Sequence, residues 1–154
     1  MLLVKYLEIN VDLILWRHAE AEDRTPDDAR ELTAKGRKQA EKVAALLRVH
    51  LPVDARILVS PATRTLQTVS ALTRHYSVVP ALAPGASVAA VLQAACWPGA
   101  GGTVLVVGHQ PTLGEVAGFL LGSEPQHFKK GALWWFSLRD GYSQLRLVIA
   151  PEFL

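Results

Sequence analysis

Five short apolar runs punctuate the chain: LILW (13–16), RILVS (56–60), TVLVVG (103–108), ALWWFSL (132–138) and QLRLVIA (144–150). Their β-branched and aromatic content predicts strands. Between the first two lies LTAKGRKQAEKVAALLRVH (32–50). It spaces Ala40, Val43, Ala44 and Leu47 at i, i+3, i+4 and i+7, the stripe of an amphipathic helix, with Thr33 placed to cap it. Pro61 suits the first position of a second helix, where a missing N–H costs nothing. Leu66, Val69, Leu72 and Tyr76 would form its buried face. SVAAVLQAAC (87–96) and PTLGEVAGFLL (111–121) predict two more helices.

Strands alternating with helices imply a mostly parallel sheet covered on both faces. Asp140-Gly141 suits a tight turn, so the last two strands should form an antiparallel hairpin at the edge. The expected fold class is therefore α/β, a three-layer α/β/α sandwich. Residues 77–102 offer one short helix and connections, so no lid domain is expected. The 154 residues read as a single domain, with residues 1–10 an N-terminal extension ahead of the first strand.

Composition narrows the class. Half the residues are hydrophobic and 19% are charged, as in a globular chain, and the net charge is only +2. The basic residues are scattered, which argues against a nucleic-acid partner. No run approaches the roughly 18 apolar residues of a membrane span. Cys96 is the single cysteine, which excludes an internal disulfide and suits a reducing cytoplasm. His50 and His75 fall at expected helix ends, where a cation favours the dipole, and His127 falls in a surface loop. Trp134 and Trp135 must face opposite sides of a strand, one toward the core and one toward solvent or an interface.

The candidate chemistry lies just past the strands. Arg17 and His18 follow LILW, Arg64 stands one turn into the helix after RILVS, and His109 follows TVLVVG. Ligands of open α/β sheets bind outside the carboxyl ends of the strands. Parallel neighbours would thus bring two arginines and two histidines to one crevice. Such side chains repel one another unless an anion sits among them. No Asp or Glu occurs between Asp54 and Glu115, a span that supplies Arg64 and His109, and the resulting field suits phosphate or sulfate. No glycine-rich nucleotide loop is present. A metal is not expected, because Arg17 and Arg64 would oppose a cation beside His18 and His109, and no cofactor is implied.

RHA (17–19), SPATRTLQT (60–68) and VGHQPTL (107–113) resemble, in order and spacing, the three signature blocks of the histidine phosphatase superfamily. The similarity extends from about Asp12 to the C-terminus and is greatest to the short SixA-type phosphohistidine phosphatases, whose late strand FKKGALWWFSL (128–138) resembles. The resemblance implies that His18 is the nucleophile and is transiently phosphorylated. It implies that Arg17, Arg64 and His109 hold the phosphoryl oxygens. Phosphoryl transfer rests on positioning and charge stabilisation. Arginine offers permanently charged donors that match phosphate oxygens. A nucleophilic His18 needs one neutral ring nitrogen, so its other nitrogen should donate to a carbonyl or carboxylate.

Two departures matter. Ala19 stands where many members carry Gly, a change the SixA-type branch tolerates. Esterases and mutases of the superfamily supply a glutamate between the second and third blocks, and residues 76–102 contain none. An alkoxide leaving group benefits from proton donation, whereas imidazole departs more readily. The resemblance thus implies a metal-independent phosphatase acting on phosphohistidine in a protein, such as a phosphorelay or phosphotransferase component. If a general acid is used, Glu20, Glu22 and Asp23 beside the nucleophile are the candidates. Two rivals stay open: a broad phosphatase of small phosphate esters, and a non-catalytic module binding phospho-ligands.

Overall fold

The computed structural model describes residues 11–154; the N-terminal extension assigned to residues 1–10 lies outside the described residues. Six strands form one mixed sheet: β1 (Val11–Arg17), β2 (Arg56–Val59), β3 (Ser77–Val78), β4 (Gly102–Gly108), β5 (Leu133–Arg139) and β6 (Tyr142–Ile149), in the order β3-β2-β4-β1-β5-β6. The four strands β3, β2, β4 and β1 are mutually parallel, while β5 runs antiparallel to both β1 and β6. The fold is the expected α/β sandwich, with the antiparallel hairpin at one edge.

Four helices cover the sheet: α1 (Ala34–His50), α2 (Thr63–Ser70), α3 (Val88–Ala94) and α4 (Thr112–Leu121). The continuous apolar strands make sense because both faces are buried. Leu13, Leu15, Val104, Val106, Trp134 and Phe136 pack with Val91 of α3 and Val116 of α4 on one face. Ile14, Trp16, Leu105, Val107 and Trp135 pack with Val43 and Leu47 of α1 on the other. Trp134 and Trp135 do point to opposite faces, but both are buried. The expectation that one would be exposed fails because helices close both sides, and Trp135 Nε1 donates to the buried Asp12 carboxylate at 3.1 Å.

Local capping follows the sequence closely. Thr33 Oγ1 accepts from Gly36 N at 2.9 Å, and Ser87 caps α3 through Ala90 N at 3.1 Å. Asp140 and Gly141 both adopt positive φ, 51° and 80°, as a two-residue hairpin turn requires.

Helix α2 departs from expectation at both ends. Its N-cap is Ala62, so Pro61 precedes the helix instead of opening it. It ends at Ser70, where the hydroxyls of Thr68 and Ser70 bond back to the carbonyls of Arg64 and Leu66, both at 2.7 Å. Hydroxyl residues compete with the backbone in this way and favour helix ends. Leu72 and Tyr76 therefore reach the core from the connection after the helix, and His75 has no helix terminus to complement.

Candidate active site

Strand register builds the site. Strands β2, β4 and β1 are parallel neighbours, with Val59 opposite Val107 and Arg17 opposite Gly108. The residues leaving the carboxyl ends of β1 and β4, His18 and His109, therefore emerge side by side. Their ring centroids are 5.4 Å apart, inclined at 53°. Main-chain bonds fix the exit of β1: Arg17 N donates to Ala132 O, His18 N to Gly108 O, and Gly131 N to His18 O, at 2.9–3.1 Å. Tied on both sides by backbone, His18 cannot drift far.

The predicted residues converge. His18, Arg64 and His109 are all buried, and Arg17 is partly buried. His18 Nδ1 donates to the Ala19 carbonyl at 2.8 Å, an arrangement that leaves Nε2 with an available lone pair. Arg17 Nη1 donates to Phe128 O at 2.7 Å. Arg64 uses both terminal nitrogens on one residue, with Nη1 donating to Asp27 O at 2.9 Å and Nη2 to Asp27 Oδ2 at 3.1 Å. Ser60 Oγ lies 2.7 Å from His109 Nε2. Arg17 Nε, Arg64 Nε and His109 Nδ1 are buried with no hydrogen-bond partner among the described residues. Buried polar atoms without partners are costly in a native fold, and the two Arg N–H donors beside a histidine nitrogen match the needs of an oxyanion.

Electrostatics agree. Burial pushes His18 from its ordinary 6.5 to about 4; its bond to Ala19 opposes the shift, and Arg64, Arg17 and Arg30 add to it. Burial likewise pushes His109 to about 3, aided by Arg64, His18 and Arg17 and opposed by Asp27. Arg17 is lowered by burial and by Arg64. Both imidazoles are neutral near pH 7, the state a nucleophilic nitrogen needs, and each feels both arginines.

The acids nearest in sequence differ in placement: Glu20 lines a cavity together with Arg17, whereas Glu22 and Asp23 are exposed. Glu20 accepts from Thr33 Oγ1 at 3.0 Å and lies 3.9 Å from Lys35. Glu22 pairs with Arg24 at 3.1 Å. A further carboxylate, Asp27 on the 3₁₀ turn Asp27–Ala29, reaches Arg64. The acid-free span from Asp54 to Glu115 gave no hint of it, because Asp27 arrives from an earlier loop that carries no periodic signal. Ser60 was within the SPATRT block, at a strand end, and its proximity to His109 follows from the β2–β4 register.

Glycine positions the loop after His18. A Cβ at Gly36 would fall 2.0 Å from Glu20 O, so only glycine lets α1 approach so closely. Beside Arg17 opens a cavity of about 450 Å³, lined by the cations Lys35, Lys129 and Lys130, by His127 and by the carboxylates Glu20 and Glu152. Among the described residues, no three His, Cys, Asp or Glu side chains gather as a metal site.

The fold is a six-stranded α/β sandwich that brings Arg17, His18 and His109 from its strand ends together with Arg64 from the first turn of α2. The model of the histidine phosphatase superfamily (branch 1) matches residues 13–85. A chain assigned as phosphohistidine phosphatase SixA from Nakamurella multipartitia is 30% identical, covers 92% of this chain and 96% of its own, and superposes with a TM-score of 0.77. The protein histidine phosphatase SixA in complex with tungstate is 26% identical, covers 92% and 98%, and gives a TM-score of 0.81. An uncharacterized protein of Picosynechococcus sp. is 33% identical over 88% of this chain and 89% of its own. The chain belongs to the histidine phosphatase superfamily. Its similarity to SixA chains extends well beyond the segment that the family model matches.

Proposed function

We propose that the protein is a phosphatase that removes the phosphoryl group from phosphohistidine on a protein through a covalent phospho-His18 intermediate. The observation that carries this reading is the paired state of the His18 ring. With Nδ1 donating to Ala19 O and the ring neutral, Nε2 is the nitrogen that attacks phosphorus in line. The Nε–H groups of Arg17 and Arg64 are the donors awaiting phosphoryl oxygens. His109 Nε2 pairs with Ser60 Oγ at 2.7 Å; in the tautomer in which Ser60 donates, the proton of neutral His109 is on Nδ1, where it would serve the same anion. Charge on the transferring PO₃ is then met by preorganised donors without reorganisation.

The balance of the reaction is simple. The His18 Nε2–P bond forms as the P–N bond of the substrate breaks, and the departing imidazole takes up a proton. Water then attacks the phosphoenzyme, returning His18 and releasing inorganic phosphate. An imidazole leaves without the strong proton donor an alkoxide needs, which fits a site where the carboxylate at Arg64, Asp27, is held ionised. Its pKa is lowered: burial would raise it, but Arg30 and Arg64 outweigh that. Tungstate in the SixA structure is itself a tetrahedral oxyanion of the size such donors clasp. The site needs no metal in this scheme.

The test is competition. A phosphohistidine-bearing protein and a phosphate monoester are offered together, and release of phosphate from each is followed. Preferential hydrolysis of the phosphohistidine is expected. Faster turnover of the ester would reassign the protein to small phosphate esters, and turnover of neither would leave a binding module.

A further inference from the structure

We propose that Asp27 is a positioning residue, clamping the terminal nitrogens of Arg64 so that the Nε edge of the guanidinium is held toward the phosphoryl group. The proposal rests on reading Arg64 as a phosphate-holding group. A guanidinium carries five N–H donors in a rigid fork. Asp27 takes one from each terminal nitrogen, the first with its main-chain oxygen at 2.9 Å and the second with Oδ2 at 3.1 Å. This two-point grip fixes both position and plane. The Nε–H is left buried and without a partner among the described residues.

The two ends of this pair differ sharply in burial. The Arg64 side chain is 5% exposed and that of Asp27 is 57% exposed. Solvent screens only the Asp27 end of the pair. A buried cation, by contrast, needs a fixed partner, and its direction matters where a charge must be met in a transition state. Asp27 is itself held: Arg30 Nη1 donates to Oδ1 at 3.2 Å, and Arg30 Nε donates to Glu22 O at 2.7 Å. The chain of contacts runs from the Glu22 backbone through Arg30 and Asp27 to Arg64. It therefore ties the loop after the nucleophile to the first turn of α2.

The opposite role is also physically well defined. Asp27 could compete with phosphate for Arg64, acting as an internal anion that substrate must displace. The two roles predict opposite signs. If Asp27 positions Arg64, its removal weakens phosphate binding; if it competes, its removal tightens binding.

The experiment uses the full-length chain and inorganic phosphate as the probe, with affinity read by titration calorimetry and kcat and KM measured on a phosphohistidine protein. D27A is expected to weaken phosphate about tenfold and to lower kcat/KM by about a hundredfold, the scale of a mispositioned catalytic group. D27N keeps an amide oxygen for Arg64 Nη2 and should fall between D27A and the unaltered chain, a graded rescue that loop collapse would not give. D28A, on the same turn and exposed, should match the unaltered chain. Phosphate bound as tightly as before, or more tightly, by either folded Asp27 variant would overturn the clamp. R64A separates the two levels: unchanged phosphate affinity there would remove Arg64 from the site and the inference with it.

Discussion

Lowering the pH should destabilise the ligand-free protein through its two site histidines, and His109 makes the magnitude calculable. The ring is 3% exposed and its pKa falls from 6.5 to about 3, chiefly through burial. The unfolded chain therefore binds a proton on His109 below pH 6.5 that the folded chain refuses until near pH 3. Stability contributed by the neutral ring is present above pH 6.5, declines as pH falls through that value, and levels off at the folded pKa. Between pH 7 and pH 5 the loss is about 2 kcal/mol for this one residue. His18, held at about 4, adds a comparable amount over the same window. Urea unfolding at the two pH values, followed by fluorescence of the four tryptophans, gives the wild-type difference. His109→Gln removes the titration, so its pH 7 to pH 5 loss should be smaller by about 2 kcal/mol. Identical losses in both proteins would mean that His109 titrates normally in the fold, and the buried neutral pair would have to be abandoned.

Three further outcomes follow from the same geometry. Gly36→Ala would force a Cβ to within 2.0 Å of Glu20 O; a loss of about 1–3 kcal/mol from overpacking and a clear drop in kcat are expected, and an unchanged melting temperature would show that the close approach is unimportant. Arg64→Lys retains charge but loses the fork, so kcat/KM should fall about a hundredfold or more, whereas full activity would mean that a point charge suffices. Prolonged dialysis against EDTA should leave turnover unchanged; inhibition restored by one added metal would revive metal-assisted hydrolysis.

Much of this could be read before any coordinates. Strands such as LILW and TVLVVG are legible because their burial on both faces makes them apolar throughout, and Thr33 and Asp140-Gly141 carry local chemistry that works without tertiary help. The convergence of Arg17, His18, Arg64 and His109 was legible because parallel strands put their carboxyl ends at one edge of the sheet. What escaped depends on long-range packing. Strand β3 has two residues, both exposed, too short for any period. Both tryptophans are buried because of helices distant in sequence. Asp27 lies in the loop RTPDDAR, where nothing local distinguishes it from Asp28; only the fold brings it to Arg64.

The central claim is that His18 becomes covalently phosphorylated. Incubating the protein briefly with a ³²P-labelled phosphohistidine donor, quenching in alkali to preserve phosphoramidates, and mapping the label measures it directly. The account predicts label on the peptide carrying His18, and neither label nor turnover in His18→Ala. Label on another residue, or an undiminished rate in that variant, would contradict it.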